Sequence, residues 1–322
     1  MLSYGTWGWV SLKQALLFPG QGSQYVGMGK ELNGNFTAAQ RVFEEGNDIL
    51  GFDIRKLCFE GPEDELKITS NTQPAILTVS VACWHVLRES GVTPSAVAGH
   101  SLGEYSALVA AKAFSFPDAL RLVQKRGRLM QEASAGNGGM AAILGLDREW
   151  VQKACRDVRK HGVVEVANYN CPGQIVIAGE AKALQKAMDL AREYGAKKAI
   201  PLQVSGPFHS SLMAEAGQKL ALELDPININ DPACPLVSNV TAEIVQTADP
   251  IKNLLVKQVS SSVRWDDSVN RLAAMGINTF VETGPGKVLA GLGRKIIRDA
   301  RFFNVEDKAS LENTLDNLKE VL

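Results

Sequence analysis

The stretch Gly99-His100-Ser101-Leu102-Gly103 decides the fold, because it joins a short apolar run to a helix-like segment. Ala96-Val97-Ala98 precedes it as a predicted strand, and Glu104 to Ala113 follows it as a predicted helix. A serine on such a strand-to-helix turn is a nucleophile elbow, in which the flanking glycines let the strand and helix approach without Cβ clashes. The pattern predicts Ser101 as a nucleophile in an α/β protein.

The composition limits the classes of protein to which the chain can belong. Its 322 residues suffice for a large domain with an insertion, and its net charge of -1 provides no field for nucleic acid or an anionic membrane. The five cysteines are odd in number and show no C-x-x-C spacing, which indicates reduced thiols rather than disulfides or a zinc site. No segment approaches the roughly 20 apolar residues of a membrane span. We therefore expect a cytoplasmic protein with no metal and no tightly held organic cofactor.

The order of predicted elements indicates two domains. Residues 1–14 lack a signal-peptide or transit-peptide pattern, and we expect a poorly ordered extension there. After them, short apolar runs alternate with helical periods, which is typical of α/β architecture. The part from Met140 to Val204 reads strand, helix, strand, strand, helix, strand, a βαββαβ or ferredoxin-like order, with the first helix over residues 148–161 and the second strand over residues 163–167. We expect residues 137–205 to form this small domain, inserted between residues 15–136 and 206–322 of the large one.

Four histidines are candidates for the base that would activate Ser101. His85 lies in a predicted apolar helix, His100 stands inside the elbow, and His161 lies at a predicted helix end, so structural roles are expected for all three. His209 follows a predicted strand and a Gly-Pro break, in a loop of the kind that presents catalytic groups. We predict His209 as the base. No acidic residue is an obvious third member, and a backbone carbonyl could orient the imidazole instead.

A glycine-rich loop, Pro19-Gly20-Gln21-Gly22-Ser23-Gln24, follows the first predicted strand. Met28 stands where a phosphate-binding Walker loop needs lysine, so nucleotide binding is not indicated. A backbone N–H at Gln21, at a strand end beside the elbow, would instead form an oxyanion hole with the N–H of Leu102.

Arg126 is predicted to face the protein interior. The apolar residues three or four positions away from it form one helix face, whereas the neighbouring basic residues Arg121, Lys125 and Arg128 share the opposite face. A buried guanidinium needs an anionic partner. That partner is either a carboxylate of the protein, in an internal ion pair, or a carboxylate of the substrate held by a bidentate clamp.

Five motifs in sequence order resemble those of malonyl-CoA:acyl carrier protein transacylases, over a region from about Ala15 to the C-terminus. They are Phe18-Pro19-Gly20-Gln21-Gly22-Ser23-Gln24, Gly99-His100-Ser101-Leu102-Gly103-Glu104-Tyr105, Lys125-Arg126-Gly127-Arg128-Leu129-Met130, Asn168-Tyr169-Asn170 before Pro172-Gly173-Gln174, and Gly284-Pro285-Gly286. The resemblance implies a hydrolase-like α/β domain with a mainly parallel sheet, an inserted ferredoxin-like domain, and a site in the cleft between them.

The resemblance also implies a ping-pong reaction. Ser101 would take the malonyl group from malonyl-CoA, and the malonyl-serine would then pass it to the phosphopantetheine thiol of acyl carrier protein, for fatty-acid synthesis. His209 would be the base and Arg126 the clamp for the malonyl carboxylate.

Four further residues receive roles from the same resemblance. The amides of Gln21 and Leu102 would form the oxyanion hole. A backbone carbonyl near Gln258 would steady His209, and Asn168 would line the small-domain side of the cleft.

Phe208 and the choice of pathway leave alternatives open. Phe208 resembles the bulky residue of malonyl-selective members, where it would crowd the α-methyl of methylmalonyl. Many housekeeping members carry a smaller residue there. In this respect the chain also resembles the acyltransferases of polyketide assembly lines. A stand-alone acyltransferase serving a polyketide synthase is therefore an alternative. More distant alternatives are a serine esterase or thioesterase, against which Arg126 argues, and a non-catalytic carrier-binding module, against which the joint presence of Ser101, His209 and Arg126 argues.

The carrier protein implied by the resemblance is acidic, so a local basic surface should receive it. The candidate residues are Lys287, Arg294, Lys295 and Arg298, for which a solvated helix face is the alternative interpretation. We expect the protein to be a monomer.

Overall fold

The chain is described from a computed structural model that covers residues 13–134, 136, 138–204 and 206–319. Most of the extension predicted at residues 1–14 therefore lies outside the described residues. The strands are β1 Gln14–Phe18, β2 Ala96–Gly99, β3 Gly139–Leu144, β4 Val164–Cys171, β5 Gln174–Gly179, β6 Lys198–Pro201, β7 Leu236–Val237, β8 Ile244–Val245, β9 Thr279–Thr283 and β10 Arg301–Val305.

The α-helices connect and cover these strands. They are α1 Lys30–Asn35, α2 Thr37–Leu50, α3 Ile54–Glu60, α4 Glu63–Lys67, α5 Thr69–Glu89, α6 Gly103–Ala110, α7 Phe116–Ala133, α8 Arg148–Asp157, α9 Ala181–Glu193, α10 Ala214–Leu224, α11 Ile251–Val259, α12 Trp265–Ala274, α13 Val288–Ile296 and α14 Lys308–Lys319. Within the part of the chain that the structure covers, none of them combines the length and apolarity needed to cross a membrane.

The first sheet is mainly parallel. Its strands are ordered β10-β9-β1-β2-β7-β8, and antiparallel pairing occurs between β7 and β8. Strands β1, β2 and β9 are buried at every position, as expected for parallel strands covered on both faces. The α/β class and the mainly parallel sheet are therefore confirmed.

The register of this sheet brings two predicted site loops together. Strands β1 and β2 are parallel neighbours, and Phe18 at the end of β1 is the register partner of Gly99 at the end of β2. The loops that leave neighbouring parallel strands at their carboxyl ends start side by side. The glycine-rich loop with Gln21 and the elbow with Ser101 consequently meet at one edge of the sheet.

The second sheet is separate and antiparallel, with the strand order β4-β5-β3-β6. Along the chain its elements follow the predicted strand, helix, strand, strand, helix, strand order, from β3 to β6. Helices α8 and α9 contribute Val151 and Leu184 to a hydrophobic cluster that also contains Ile143 and Ile177 of the strands. This sheet therefore has a core of its own.

Strand β4 links the second sheet to the segment between α11 and α12 and to the elbow. The Tyr169 N–H donates to the Val263 carbonyl at 2.9 Å, and the Val263 N–H donates to the Ala167 carbonyl at 2.8 Å. The side chain of Asn170, also on β4, lies 2.9 Å from His100 Nε2 in the elbow. One edge of the second sheet is thereby fixed over the site edge of the first.

Several predicted boundaries are shifted. The helix after the elbow ends at Ala110 rather than Ala113, because Lys112 adopts a left-handed conformation with φ 59°. The helix expected over residues 148–161 ends at Asp157 and is followed by a short 3-10 turn at residues 159–161. Strand β4 runs to Cys171, beyond the predicted end at Ala167.

Candidate active site

The elbow around Ser101 depends on close backbone contacts. A Cβ atom on Gly99 would lie 1.9 Å from the carbonyl of Gly103, and one on Gly103 would lie 2.0 Å from the carbonyl oxygen of Phe18. Both distances are far below van der Waals contact, so strand β2, helix α6 and strand β1 can meet only through glycine. Ser101 itself has a left-handed backbone with φ 52°, a strained conformation for a residue with a side chain.

The structure brings His209 to Ser101, across 108 positions of sequence. Its Nε2 lies 2.7 Å from Ser101 Oγ, and its Nδ1 lies 2.8 Å from the carbonyl oxygen of Gln258. Because a carbonyl only accepts hydrogen bonds, the proton of a neutral imidazole belongs on Nδ1 and leaves Nε2 as an acceptor. Burial, together with the Arg126 cation, lowers the pKa of His209 to about 3. The neutral form, which can accept a proton from Ser101, therefore prevails at neutral pH.

The other histidines lie where structural roles were expected. The ring of His100 is bound to Asn170 and packs against Trp265 at a centroid distance of 5.6 Å. His85 is partly buried in α5, and His161 closes the 3-10 turn before Gly162.

Arg126 lies on the buried face of α7, as predicted, with 1% of its surface exposed. Its Nη1 donates to Gln73 Oε1 at 2.8 Å, and its Nη2 donates to Gln258 Oε1 at 3.0 Å and to Ser101 Oγ at 3.2 Å. Burial lowers the pKa of the guanidinium, while Tyr105 and Glu104 oppose this shift.

The internal ion pair considered from the sequence is not formed directly. Among the described residues, no salt bridge joins Arg126 to a carboxylate, and its Nε donates no hydrogen bond. The guanidinium is held by neutral amides beside the Ser101 hydroxyl. This arrangement leaves charge and donor capacity for an anion at the site.

The backbone N–H groups of Gln21 and Leu102 are free of protein acceptors within the described chain. Each belongs to a loop that starts at the end of a site strand, β1 for Gln21 and β2 for Leu102. The N–H of Ser101, in contrast, donates to Asn239 Oδ1 at 2.7 Å. Two unengaged amides beside a serine hydroxyl suit a developing oxyanion.

One cavity of about 100 Å³ gathers the predicted site residues. Its walls include every predicted site residue except Gln258, with Phe208 and Asn168 both buried. A water molecule occupies about 30 Å³ of the liquid, so the cavity has the size of about three waters. This size suits a short acyl group.

Comparison with known proteins places the chain in a family. Residues 15–313 match the profile described as the acyl transferase domain. The malonyl CoA-acyl carrier protein transacylase of Bacillus subtilis is 51% identical over 310 residues, which cover 96% of this chain and 98% of that protein. The chain belongs to the malonyl-CoA:acyl carrier protein transacylase family. It is therefore an acyltransferase.

Solved structures agree with this transacylase assignment. The acyl-carrier-protein S-malonyltransferase of Burkholderia pseudomallei superposes with a TM-score of 0.93 at 46% identity, covering 95% of this chain and all of that one. A malonyl-transacylase solved in complex with its type II polyketide synthase acyl carrier protein gives the same TM-score and identity, with coverages of 95% and 99%.

Three residues of the transacylase site were not predicted from the sequence. Asn239 holds the elbow, because its Oδ1 accepts from Ser101 N–H and its Nδ2 donates to the Gly99 carbonyl at 2.6 Å. Gln73 binds Arg126, and Glu104 lies buried behind the elbow. Asn239 directly follows the apolar pair Leu236–Val237 of β7 and Ser238, a strand-end position that could have indicated it. Gln73 carries no comparable signal in the sequence, and Glu104 belongs to the elbow motif without a feature of its own that marks it as a site residue.

Proposed function

We propose that the chain transfers a malonyl group from malonyl-CoA to the phosphopantetheine thiol of acyl carrier protein, for fatty-acid synthesis, through a malonyl ester of Ser101. One observation carries the proposal: Arg126 Nη2 lies 3.2 Å from Ser101 Oγ. A buried cation thus stands beside the atom that would carry the acyl group. Malonyl differs from acetyl by a carboxylate, and this cation is placed to bind it.

The first half-reaction starts with the Ser101 hydroxyl. Its proton passes to His209 Nε2 as Oγ attacks the thioester carbonyl of malonyl-CoA. The N–H groups of Gln21 and Leu102 stabilise the oxyanion of the tetrahedral intermediate. When that intermediate collapses, the C–S bond breaks and the proton on His209 goes to the departing thiolate of coenzyme A.

The second half-reaction repeats these steps with the carrier thiol. His209 Nε2 takes the thiol proton as the sulfur attacks the ester carbonyl, and the same two amides stabilise the oxyanion. The C–O bond to Ser101 then breaks, and His209 returns the proton to Oγ. The resting pair of neutral imidazole and hydroxyl is restored.

Arg126 argues for transfer rather than hydrolysis. A serine esterase or thioesterase needs the same nucleophile, base and oxyanion hole, but it has no general need for a buried guanidinium at the acyl group. Phe208, buried in the cavity wall, supports selectivity for malonyl over the bulkier methylmalonyl.

Loading of a polyketide synthase carrier is the second candidate function. A malonyl-transacylase to which the chain is 46% identical was solved in complex with a type II polyketide synthase carrier, and this complex favours the second function. The two functions share the acylation of Ser101 and differ only in the carrier that receives the malonyl group.

The carrier surface that we propose surrounds α13. Lys287, Arg294, Lys295 and Arg298 are exposed on this helix and at its two ends. The preceding loop approaches the glycine-rich loop, since a Cβ on Gly286 would lie 3.6 Å from the Ser23 carbonyl oxygen. A carrier bound near Lys287 could direct its phosphopantetheine arm past the Gln21 loop to Ser101.

We also propose that residues 137–205 form the ferredoxin-like insertion between residues 15–136 and 206–322. The separate antiparallel sheet, its βαββαβ element order and its own hydrophobic cluster support this division. A monomeric state and a cytoplasmic location stay predictions.

Intact-protein mass spectrometry tests the proposed reaction. Mixing the protein with malonyl-CoA should give a malonyl adduct that Ser101→Ala lacks. Adding phosphopantetheinylated acyl carrier protein should move the adduct to the carrier thiol. Decay to free malonate alone would favour a thioesterase, and the relative rates with fatty-acid and polyketide carriers distinguish the two pathways.

A further inference from the structure

Glu104 is a buried carboxylate next to the site, and the reaction described above does not use it. It belongs to the first turn of α6 and exposes 2% of its surface. Its Oε2 accepts hydrogen bonds from Gln258 Nε2 at 2.6 Å and from the backbone N–H of Asn239 at 3.2 Å. It does not line the cavity, so any effect on the acyl group must pass through a neighbour.

The neighbour is the side-chain amide of Gln258. Its Oε1 accepts from Arg126 Nη2 at 3.0 Å, and its Nε2 donates both to Glu104 and to the Ser101 carbonyl, at 2.6 and 3.1 Å. A guanidinium can only donate hydrogen bonds, and a carboxylate can only accept them. A single orientation of the amide satisfies both groups. The Glu104 carboxylate thus selects the orientation that presents an oxygen to Arg126.

We propose that Glu104 is a positioning residue for the carboxylate clamp: acting through the Gln258 amide, it fixes the Arg126 guanidinium beside Ser101 and thereby sets the preference for carboxylated acyl groups. This inference rests on the proposed malonyl transfer. It assigns Glu104 a role in substrate selection and no contact with the substrate.

The amide also keeps the two charges apart. A carboxylate bound directly to Arg126 would be a bidentate competitor for the malonyl carboxylate. With the neutral amide between them, Glu104 provides a compensating negative charge for the buried guanidinium while leaving guanidinium donors free. Burial raises the pKa of Glu104 to about 7, while the hydrogen bonds from Gln258 and Asn239 and the nearby Arg126 cation oppose that rise, so this charge is present in full above pH 7.

If Glu104 had a purely structural role, its removal would affect malonyl and acetyl transfer in a different way. Glu104 accepts from Asn239, which in turn holds the Ser101 backbone. If bracing of the elbow were its whole role, removing the charge would slow transfer of every acyl group by the same factor. A positioning role lowers the rate with malonyl-CoA more than the rate with acetyl-CoA, because acetyl carries no carboxylate for Arg126.

Two near-isosteric variants separate these cases. Glu104→Gln removes the charge and one of the two fixed acceptors of the Gln258 NH₂ group, which weakens the preference for the orientation that presents Oε1 to Arg126. Gln258→Met cuts the connection to Arg126 but retains both the Glu104–Asn239 contact and the carbonyl at position 258 that binds His209. Glu282→Gln is the matched control, since Glu282 is also fully buried, has a pKa raised by burial to about 7, and binds α13 through the Ala290 N–H.

The measurement is kcat/KM for acylation of Ser101 by malonyl-CoA and by acetyl-CoA, with a thermal unfolding midpoint for each protein. Acylation of the unaltered protein by malonyl-CoA tests the proposed function separately. We expect Glu104→Gln and Gln258→Met each to lower the malonyl-to-acetyl ratio by about 10- to 100-fold, as for loss of a hydrogen bond to a charged group. Glu282→Gln should lower the midpoint and leave the ratio unchanged.

An equal loss with both acyl groups in Glu104→Gln would overturn the inference. If that variant does not fold, Gln258→Met decides the matter: a lower ratio supports the connection through the amide, and an unchanged ratio overturns it.

Discussion

The backbone carbonyl of Gln258 lies 2.8 Å from Nδ1 of His209 and occupies the place that an aspartate holds in a Ser-His-Asp triad. A carbonyl fixes the tautomer and the ring direction as an aspartate does, but it adds no negative charge to stabilise an imidazolium. His209 is buried, with the Arg126 cation nearby, and both depress its pKa. His209 is therefore neutral at rest, and in the proposed reaction it passes its proton on within each half-reaction.

The first prediction concerns the acid limit of activity. In the proposed reaction the neutral form of His209 is the base, and its pKa is lowered from the ordinary 6.5 to about 3, so acylation should persist well below pH 6.5. In Arg126→Ala the loss of the cation should raise that pKa and move the acid limb to higher pH. The pH dependence of kcat/KM with acetyl-CoA measures the acid limb of the unaltered protein and that of Arg126→Ala. Identical acid limbs in the two proteins would show that the Arg126 cation does not lower the pKa of His209.

The second prediction concerns the clamp itself. Arg126→Ala should lower kcat/KM for malonyl-CoA by at least about tenfold, since a hydrogen bond to a charged group is worth about 1.5–3 kcal/mol. Acetyl-CoA should lose far less. Arg128→Ala, an exposed position on the same helix, is the matched control and should leave both values unchanged. Equal losses with malonyl and acetyl in Arg126→Ala would refute the clamp.

The parts of this site that could be predicted from sequence are local or periodic. The elbow is a run of five residues, and the inward direction of Arg126 follows from the 3.6-residue period of α7. Gln73 and Asn239 approach their partners across 53 and 138 positions, and no periodicity encodes those contacts. A buried Gln in an apolar helix has no distinguishing pattern until the fold places a charge beside it. The carbonyl of Gln258 was implied by family resemblance alone, because every residue has a carbonyl.

The third prediction tests the brace that Asn239 provides. Asn239→Ala leaves the Ser101 N–H and the Gly99 carbonyl, both at the elbow, without their partner. Each unsatisfied buried group costs about 1–3 kcal/mol, so for the two groups the free energy of unfolding should fall by about 2–6 kcal/mol, and acylation should slow with every acyl-CoA. Chemical denaturation and acylation rates provide the two measurements. Asn270→Ala removes an exposed side chain bound to the Asp266 carbonyl, and it should change neither quantity.

The fourth prediction concerns the carrier surface. Lys287→Glu reverses an exposed charge at the start of α13 and should raise the KM for an acidic acyl carrier protein severalfold, more so at low salt. Acylation by malonyl-CoA should be less affected, which separates docking from chemistry. Arg41→Glu, the same reversal at an exposed position of α2, serves as the control. Equal effects of the two reversals would mean that net charge, and not the α13 surface, governs carrier binding.

The fifth prediction concerns the cavity wall. Phe208 exposes 5% of its surface and bounds a cavity of about 100 Å³, so Phe208→Ala should open room for the α-methyl of methylmalonyl-CoA. The variant should acylate Ser101 from methylmalonyl-CoA faster relative to malonyl-CoA, at a stability cost of about 3–5 kcal/mol. Phe302→Ala provides the comparison, because Phe302 is 6% exposed, stacks on Phe280 and does not line the cavity. Both variants should lose stability, and only Phe208→Ala should change the ratio of the two acyl-CoA rates. A ratio that stays constant in Phe208→Ala would show that some other group excludes the methyl substituent.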